Sequence, residues 1–540
     1  MKIKSLIPFA SLLTIGMVSI TGCQKGDLID NPNLAPSTGT VPASLLLNNL
    51  TANLIKSDEY PFNYSSRINQ YFLSNYAYYW GNNNYSFGST EDTYNTLKYA
   101  IALQAQSTAQ TGNQTNKYYA LGQFFKAYAG IWLTQRVGDI PFSQAGNPAF
   151  TTPVYDKQHD VYKTCLALLN NANALLTPLV AAQPNAPIDN GDIFGLTYLQ
   201  WQKLINTYTL RILISLSKRA NDPTAADLNI ASTFNTIVSN PSTYPIMTSN
   251  SDNLIYKFNA TNTYPVYADG NAPYDNFGNV GLPYVTATAG NQDPRIFVVA
   301  TPAPAQIAAG KQPSDFTAYV GSDDNIAIGT LNSNSAGGEY SYVSDFRYFV
   351  LPAAITGANA EPFVYIGYPE MCFNIAEAIN LGWVTGQSSA TWYNNGINAS
   401  LAIYGITNGK VLNITNLTGN TIGTATANVT QFLANVAYAG DNANGLTQIF
   451  TQRYVAMFLT SGYESFFQWR RSVSTANPNG IPVWSQGGTG IGTPTNNNLI
   501  PRRWEYESNE AAYNTANYNS ALQSQFGGVD NIFADTWLTK

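Results

Sequence analysis

Two clusters of aromatic and amide side chains have the residue types that could bind a sugar. The first surrounds Gly81, which interrupts a helical pattern, and consists of Tyr78, Tyr79, Trp80, Asn82, Asn83, Asn84 and Tyr85. An aromatic ring can stack on the C–H face of a pyranose, while amide groups bind its hydroxyls. The pattern leaves two interpretations open, because the same residues could be half-buried helix-packing groups with solvated hydroxyls.

A second cluster lies in a long segment rich in Asn, Thr, Pro, Gly and Tyr. Its candidate ligand-binding residues are Tyr267, Asp269, Asn271 and Tyr274, and Tyr264 and Asp275 flank them. The tyrosines would stack on a ligand, and the Asp and Asn side chains would bind hydroxyls. Long loop-rich insertions are often functional, although a set of surface loops without a ligand would have the same composition.

Residues for catalysis or metal binding are scarce. The chain has three Cys and a single His, His159, and it contains neither a CxxC nor an HExxH pattern. His159 stands where a helix begins and is expected to be a solvated or capping residue. No pair of carboxylates is recognisable as the acid and nucleophile of a glycosidase. We therefore predict no catalytic residues, no metal and no cofactor.

The charge composition excludes nucleic acid as a partner. Of the 540 residues only 11% are charged, against roughly 25% in an average soluble protein, and the formal net charge is −6. Phosphate backbones are bound by clusters of Lys and Arg, which this chain lacks. Its polarity comes from Asn, Thr, Ser and Gln, so the surface suits a neutral, hydroxyl-rich partner.

The N-terminus has the pattern of an export signal. Lys2 and Lys4 precede an apolar run from Leu6 to Ile20, and Ile20-Thr21-Gly22-Cys23 closes it. This resembles a bacterial lipoprotein signal peptide and its lipobox, so we predict a signal peptide over residues 1–22, lipidation of Cys23 and a tether over 23–42. A transmembrane anchor is disfavoured because the run is shorter than roughly 20 residues and contains Pro8.

Helical periodicity predicts the elements that must position the two clusters. A broad apolar face is formed by Leu121, Phe124, Phe125, Tyr128, Ile131 and Trp132, and this helix is expected to end at Gly138, before Pro141. Further helices are predicted near residues 43–56, 91–106, 158–176, 197–219 and 367–383, and from 446 onward. The fold class is therefore mostly α, an α-solenoid of helical hairpins.

The predicted body is a single one over residues 43–540. Helical hairpins occupy about 43–220 and 363–520, and a loop-rich region over about 221–362 carries short extended runs at 254–258, 297–300 and 340–343. Cys165 and Cys372 lie on apolar helix faces and should be buried free thiols. Arg470, Arg471, Arg502 and Arg503 could bind an anion, but we expect structural ion pairs that attach the C-terminal segment to the helices.

Several stretches, in this order, resemble the SusD/RagB family of nutrient-binding lipoproteins. The first two are RVGDIPFSQA (136–145) and YDKQHDVY (155–162), typical of the branch with a GD-x-P-[YF]-S-x-A pattern followed by YD. Trp201–Asn206, Asp293–Arg295, the Ala376-Glu377-Ala378 helix and the segment from Ile500 to Glu510 follow. The resemblance spans about residues 23–518.

The resemblance implies a TPR-like fold whose loop-rich face carries the ligand. It implies a lipid-anchored outer-membrane protein, facing the cell exterior, that captures an oligosaccharide and passes it to a SusC-like TonB-dependent barrel without catalysis. Three alternatives stay open at this point. They are a peptide-binding member of the same family, a helical-repeat scaffold without a ligand, and, least expected, a surface glycosidase.

Overall fold

The computed structural model describes residues 41–88, 94–258, 264–265, 277–348, 361–485 and 500–540. The predicted signal peptide, Cys23 and most of the tether lie outside the described residues. Ala43–Lys540 form one compact unit, and its architecture is mostly α-helical, as predicted.

The helices of the N-terminal half are α1 (Ala43–Ala52), α2 (Tyr64–Ile68), α3 (Ala77–Trp80), α4 (Tyr94–Thr111), α5 (Lys117–Val137), α6 (Gln158–Ala182), α7 (Tyr198–Ser215) and α8 (Ile230–Ser239). Those of the middle are α9 (Leu282–Thr288), α10 (Ile296–Val299), α11 (Pro304–Ala308), α12 (Ile328–Ala336) and α13 (Asp345–Tyr348). Those of the C-terminal part are α14 (Tyr368–Asn380), α15 (Ser389–Ile403), α16 (Val429–Asn435), α17 (Ala443–Ala456), α18 (Glu464–Ser472), α19 (Ser508–Tyr513) and α20 (Thr515–Phe526).

Short strands form three antiparallel pairs within the described residues. They are β1 (Phe72–Ser74) with β3 (Gly278–Val280), β2 (Leu254–Tyr256) with β4 (Phe363–Ile366), and β5 (Val411–Thr415) with β6 (Thr421–Thr426). The first two pairs join segments far apart in sequence, whereas β5 and β6 form a local hairpin.

Helix α5 is the centre of the N-terminal hairpins. It packs on both α4 and α6, and 17 of its 21 residues are buried. The sequence predicts one apolar face, but the helix is enclosed on nearly all sides and even Gln123, Gln135 and Arg136 are buried. Gly130 allows the close approach of α6, since a Cβ there would lie 2.9 Å from the Cys165 Sγ. Gly138 ends the helix with φ +102°, as predicted.

The motif after α5 is a structural turn. The Asp139 carboxylate accepts hydrogen bonds from the Gln158 N–H (2.8 Å) and the Lys157 Nζ (2.9 Å), which fixes the start of α6. The Asp156 carboxylate accepts from the N–H groups of Phe142 (2.9 Å) and Ser143 (2.7 Å). Because both acids are occupied in this way, the motif serves folding.

Four helices meet at a buried group of charges. Arg211 of α7 donates to both oxygens of Glu370 of α14, and Arg453 of α17 donates to Glu370 Oε1 at 2.9 Å. Glu464 of α18 lies 3.9 Å from Arg211 and 3.7 Å from Arg453. Burial raises the pKa of Glu370, but Arg211 and Arg453 outweigh it and hold that pKa below its usual value. Two positive and two negative charges therefore join the N-terminal hairpins to the C-terminal ones.

Several sequence predictions need correction. Residues 297–300 were expected to be extended, yet α10 covers Ile296–Val299, because a four-residue apolar run does not distinguish a helix from a strand. Residues 340–343 make only isolated bridges, at Tyr342 and Val343. The loop-rich region also contains α8 and α12, and the hairpin of β5 and β6 was not predicted.

Other expectations hold with shifted bounds. The helices predicted at 43–56 and 367–383 end earlier, at Ala52 and Asn380, and α4 continues to Thr111. The thiols of Cys165 and Cys372 are free and buried, as predicted. Arg502 pairs with Asp535 and Arg503 with Asp530, so these ion pairs lie within the C-terminal segment. The segment is attached to α5 by a hydrogen bond from Arg503 Nε to the Val137 carbonyl at 3.2 Å.

The two arginines of α18 have different partners. Arg471 pairs with Glu377, whereas Arg470 donates to the backbone oxygens of Gln135 (2.9 Å) and Arg502 (2.8 Å).

Among the described residues only α6 is long and apolar enough to cross a membrane. One face of α6 packs on α5 and α7, as in a core helix of a helical body.

Replacing Glu370 with alanine is expected to lower the free energy of unfolding by about 3–5 kcal/mol, since it leaves two buried guanidinium groups without their shared partner. Chemical denaturation followed by Trp fluorescence measures the change. Glu339→Ala, at an exposed acid, is the control and should stay within about 0.5 kcal/mol of the wild type. If Glu370→Ala lowered the free energy of unfolding by less than about 1 kcal/mol, the charge group would not be a main source of stability.

Candidate functional site

The pairing of β1 with β3 brings the start of the first cluster beside Phe277. Ser74 is opposite Gly278 at the end of this antiparallel ladder, so the segment that follows Ser74 and the segment that precedes Gly278 begin at one place. The Asn75 N–H donates to the Phe277 carbonyl at 3.1 Å. Two chain segments about 200 residues apart are thereby held together.

Two residues of the first cluster attach its loop to the body. The Asn83 Oδ1 accepts from the Ser74 N–H (2.8 Å), and its Nδ2 donates to the Ser74 carbonyl (2.7 Å). The side-chain amide thus makes the two backbone hydrogen bonds that a residue of a neighbouring strand would make. The Tyr85 hydroxyl donates to the Ile68 carbonyl and accepts from Gln70 Nε2, each at 3.1 Å. Asn83 and Tyr85 are both buried. They were predicted to contact ligand, but their positions make them anchors of the loop.

Tyr78 of the first cluster and Tyr76, which precedes the cluster, face outward. Tyr78 is 82% exposed and Tyr76 is 45% exposed, and their ring centroids are 6.4 Å apart. Phe277 lies 5.0 Å from Tyr76. Asn82 is exposed beside them, and Asn84 is half-buried. We call Tyr76, Tyr78 and Phe277 the aromatic patch; the site prediction omitted Tyr76 and Phe277.

A cleft of about 610 Å³ adjoins the aromatic patch. Asn75 and Phe277 form one wall of this first cleft, α11 and the end of α12 form others, and Leu417 of the hairpin turn borders it. The Asn75 Nδ2 donates to Ser335 Oγ at 2.7 Å inside the cleft. None of its described lining residues is charged. The cleft can therefore take a neutral ligand without removing a charge from water.

The remaining predicted site residues, or their side chains, lie outside the described part of the chain. Tyr267, Asp269, Asn271 and Tyr274 lie outside the described residues, as do the side chains of Tyr79 and Trp80, whose backbone ends α3. Tyr264, which flanks the second cluster, is buried in the core. Its ring packs 5.0 Å from Phe258 and 6.4 Å from Phe62.

The described residues contain no group of three His, Cys, Asp or Glu side chains that could hold a metal. His159 is bound on both sides, by Asp160 and Asp227, each at 2.8 Å. Burial raises the pKa of the Cys372 thiol to about 12, so this thiol stays protonated at neutral pH. The arrangement is chemically suited to binding through rings, amides and hydroxyls.

A buried acid lies at the base of the first cluster. Asp324 is 2% exposed, and its Oδ1 has no hydrogen-bond partner among the residues that the structure describes. Burial, with a smaller contribution from Asp323, raises the pKa of Asp324 well above its usual value. The charge of Asp324 in turn raises the pKa of Tyr85, although burial is the main cause of that shift. Burial therefore shifts Asp324 towards its neutral form, close to the Tyr85 anchor.

Comparison with known proteins gives a consistent result. A family model named SusD-like and described as starch-binding and associating with the outer membrane matches residues 34–507. No curated protein matches this chain.

Three solved structures illustrate the similarity. A SusD homologue of Bacteroides fragilis is 25% identical, with a TM-score of 0.75 over 92% of this chain and 100% of that one. An outer-membrane protein of Bacteroides vulgatus, connected with nutrient binding, is 25% identical, with a TM-score of 0.72 over 93% and 100%. A chitin-binding SusD homologue of Flavobacterium johnsoniae is 20% identical, with a TM-score of 0.63 over 92% and 98%.

Asp324→Asn is expected to stabilise the protein at pH 7.5 by about 1–3 kcal/mol, because a buried group without a partner is costly and the amide cannot ionise. The raised folded pKa means that the stability contributed by Asp324 is full below the unfolded pKa of about 3.9 and is lost as the pH rises towards the folded pKa. The extra stability of Asp324→Asn over the wild type should therefore disappear near pH 3.5. Chemical denaturation at the two pH values measures it.

The control is Asp315→Asn, since hydrogen bonds from Thr317 lower the pKa of Asp315. That variant should gain no stability at pH 7.5. Equal stability of Asp324→Asn and wild type at both pH values would show that Asp324 is not held neutral.

Proposed function

Because this chain belongs to the SusD-like family, we propose that it captures a neutral oligosaccharide at the cell surface and delivers it to a SusC-like TonB-dependent barrel. The family makes it a nutrient-binding protein associated with the outer membrane. The nature of the ligand, its delivery and the absence of catalysis are our proposals.

The observation that carries the proposal is the aromatic patch beside an uncharged cleft. Tyr78 projects into solvent from the short helix α3, and Asn83 and Tyr85 attach the segment after α3 to the body. An exposed ring on a helix whose flanking segment is fixed can stack on a sugar at little cost in conformational entropy. The exposed Asn82 amide can bind hydroxyl groups next to the rings. The patch would thus grip one part of an oligosaccharide while the first cleft receives another.

The lining of the first cleft favours a neutral ligand over an ionic one. Its polar groups are amides and hydroxyls, including Asn332, Ser335 and Tyr342. Its described part contains no carboxylate that could act as the acid or nucleophile of a glycosidase. We therefore propose capture and release of the ligand without bond cleavage.

The residues of the second predicted cluster stay proposed ligand-binding residues because they lie close in sequence to the aromatic patch. Tyr267, Asp269, Asn271 and Tyr274 precede Phe277 in the chain, and Phe277 forms part of the aromatic patch. We keep these four residues, with Tyr79 and Trp80, as proposed ligand-binding residues. Asn84 is a weaker proposal because it is half-buried and its carbonyl accepts from Tyr64.

Membrane attachment through Cys23 is also proposed. The Ile20-Thr21-Gly22-Cys23 sequence matches a lipobox, and about 20 residues separate the modified cysteine from the body at Ala43. Such a tether would leave the body free to sit above a barrel.

Tyr78→Ala should weaken oligosaccharide binding about tenfold, or by about 1.4 kcal/mol, because it removes a stacking surface. Calorimetry on the chain from Gln24 onward, with maltohexaose, cellohexaose, chitohexaose and neutral peptides as probes, measures the change. Tyr513→Ala is a matched control, since Tyr513 is 78% exposed but lies on α19.

The probes separate the proposed function from its alternatives. Peptide binding that depends on Tyr78, without glycan binding, would replace the oligosaccharide with a peptide as the ligand. Cleavage of a bound glycan would contradict capture without catalysis, and binding of no probe would favour a scaffold.

Cys23→Ser should move the full-length protein from the membrane fraction to the soluble fraction, because a serine cannot form the thioether to the lipid. Cell fractionation and mass analysis of the N-terminus measure this. Lys25→Ala keeps the cysteine and should remain with the membrane. A Cys23→Ser protein that stays in the membrane fraction without lipid would point to an uncleaved transmembrane anchor.

A further inference from the structure

A second uncharged cleft, of about 550 Å³, lies between α9, α17 and the loop over residues 477–485. None of its described lining residues carries a charge. The set of residues that lines it differs entirely from that of the first cleft. The family resemblance and the predicted clusters did not point to this place.

The rim of the second cleft offers hydrogen-bonding groups that the fold does not use. Asn325, Asn477 and Asn479 are exposed, and so is Thr286. Within the described part of the chain, none of these four side chains makes a hydrogen bond that would have to be broken by a ligand. Amides with both donor and acceptor atoms are well suited to the hydroxyls of a sugar.

The wall of the cleft also offers an apolar surface. Val483 is 67% exposed and Leu282 is 37% exposed, and Pro482 also lines the cleft. These groups are available to the C–H faces of a sugar ring. The cleft therefore combines apolar contacts with amides, as the first cleft does, but without an exposed aromatic ring.

The loop that forms this wall is firmly held. The Trp469 Nε1 donates to the Asn479 carbonyl at 2.8 Å, and the ring of Trp484 stacks on that of Trp469 with centroids 5.0 Å apart and an angle of 3°. Gly480 has φ +69°, and a Cβ there would lie 2.2 Å from Trp469 Nε1. Ser485 exchanges two hydrogen bonds of 3.1 Å with Gln70. A wall held in this way is a preformed surface, so a ligand need not order it.

A buried donor in the cleft wall has no acceptor among the described residues. Trp484 lines the second cleft and is fully buried, yet its Nε1–H makes no hydrogen bond to that part of the chain. Most buried indole N–H groups find an acceptor, and leaving one unpaired is costly.

We propose that the second cleft is a further carbohydrate-binding site, which takes another segment of the same neutral oligosaccharide chain. The inference rests on the proposed function for the chemistry of the ligand. Phe277 borders the first cleft and Leu282 the second, and five residues of chain span at most about 18 Å. Two sites this close on one body would raise the avidity for a long polymer over that for a short fragment.

The test compares three proteins in calorimetric titrations with maltohexaose, cellohexaose and chitohexaose and with their disaccharides. They are the wild type, Tyr78→Ala, and the double variant Asn325→Ala/Asn479→Ala. Asn444→Ala is the matched control, because this exposed amide lies on α17 outside the cleft. Loss of two amide contacts should weaken binding in the second cleft about tenfold or more.

The expected result is two disaccharide-binding sites in the wild type and one in each variant, with a hexasaccharide bound more tightly by the wild type than by either variant. The emission of Trp484 should shift when the second cleft fills and should not shift in the double variant.

One site that Tyr78→Ala removes and the double variant leaves intact would overturn the second site and leave the proposed function standing. One site that the double variant removes and Tyr78→Ala leaves intact would support the second cleft and overturn the aromatic patch. No binding of any of these saccharides would overturn both.

Discussion

The charge group around Glu370 is the interaction on which the arrangement of the helices depends. Its four members come from four helices, α7, α14, α17 and α18. Buried charges are costly unless they are paired and hydrogen-bonded, so the helices must meet in the one arrangement that satisfies all of them. Arg211 also donates to the Tyr365 carbonyl of β4 at 2.8 Å. The group thus sets the position of a strand as well as those of the helices.

A second buried pair extends this network to the central helix. The Tyr365 hydroxyl donates to Glu59 Oε2 at 3.0 Å, and Glu59 Oε1 accepts from Arg136 Nη2 of α5 at 2.8 Å. Tyr128 of α5 lies within 2.6 Å of the Tyr365 hydroxyl. One strand residue therefore connects the two charged groups, and the segment that leads into the first cluster is fixed to both halves of the body.

Several charged side chains are buried inside the molecule, whereas the described lining of the two clefts carries no charge. Six arginines are almost completely buried, namely Arg136, Arg211, Arg295, Arg453, Arg470 and Arg503. Because the chain has few charged residues, those placed in the core are absent from the surface. The clefts are lined instead by amides, hydroxyls and apolar groups. A protein built in this way combines an interior of paired charges with a surface that suits the neutral ligand proposed above.

The sequence by itself determined the class of fold, the main helices and the kind of surface, because helical periodicity and composition are local properties. It also identified the first cluster as a group. Only the tertiary structure decided which members are available: Tyr78 is exposed, while Asn83 and Tyr85 are buried anchors. It likewise added Phe277 to the patch and placed Trp484 in a second cleft. These outcomes depend on contacts such as that of Asn75 with Asn279, 204 residues apart, and no local pattern of residue types records which distant segments will pair.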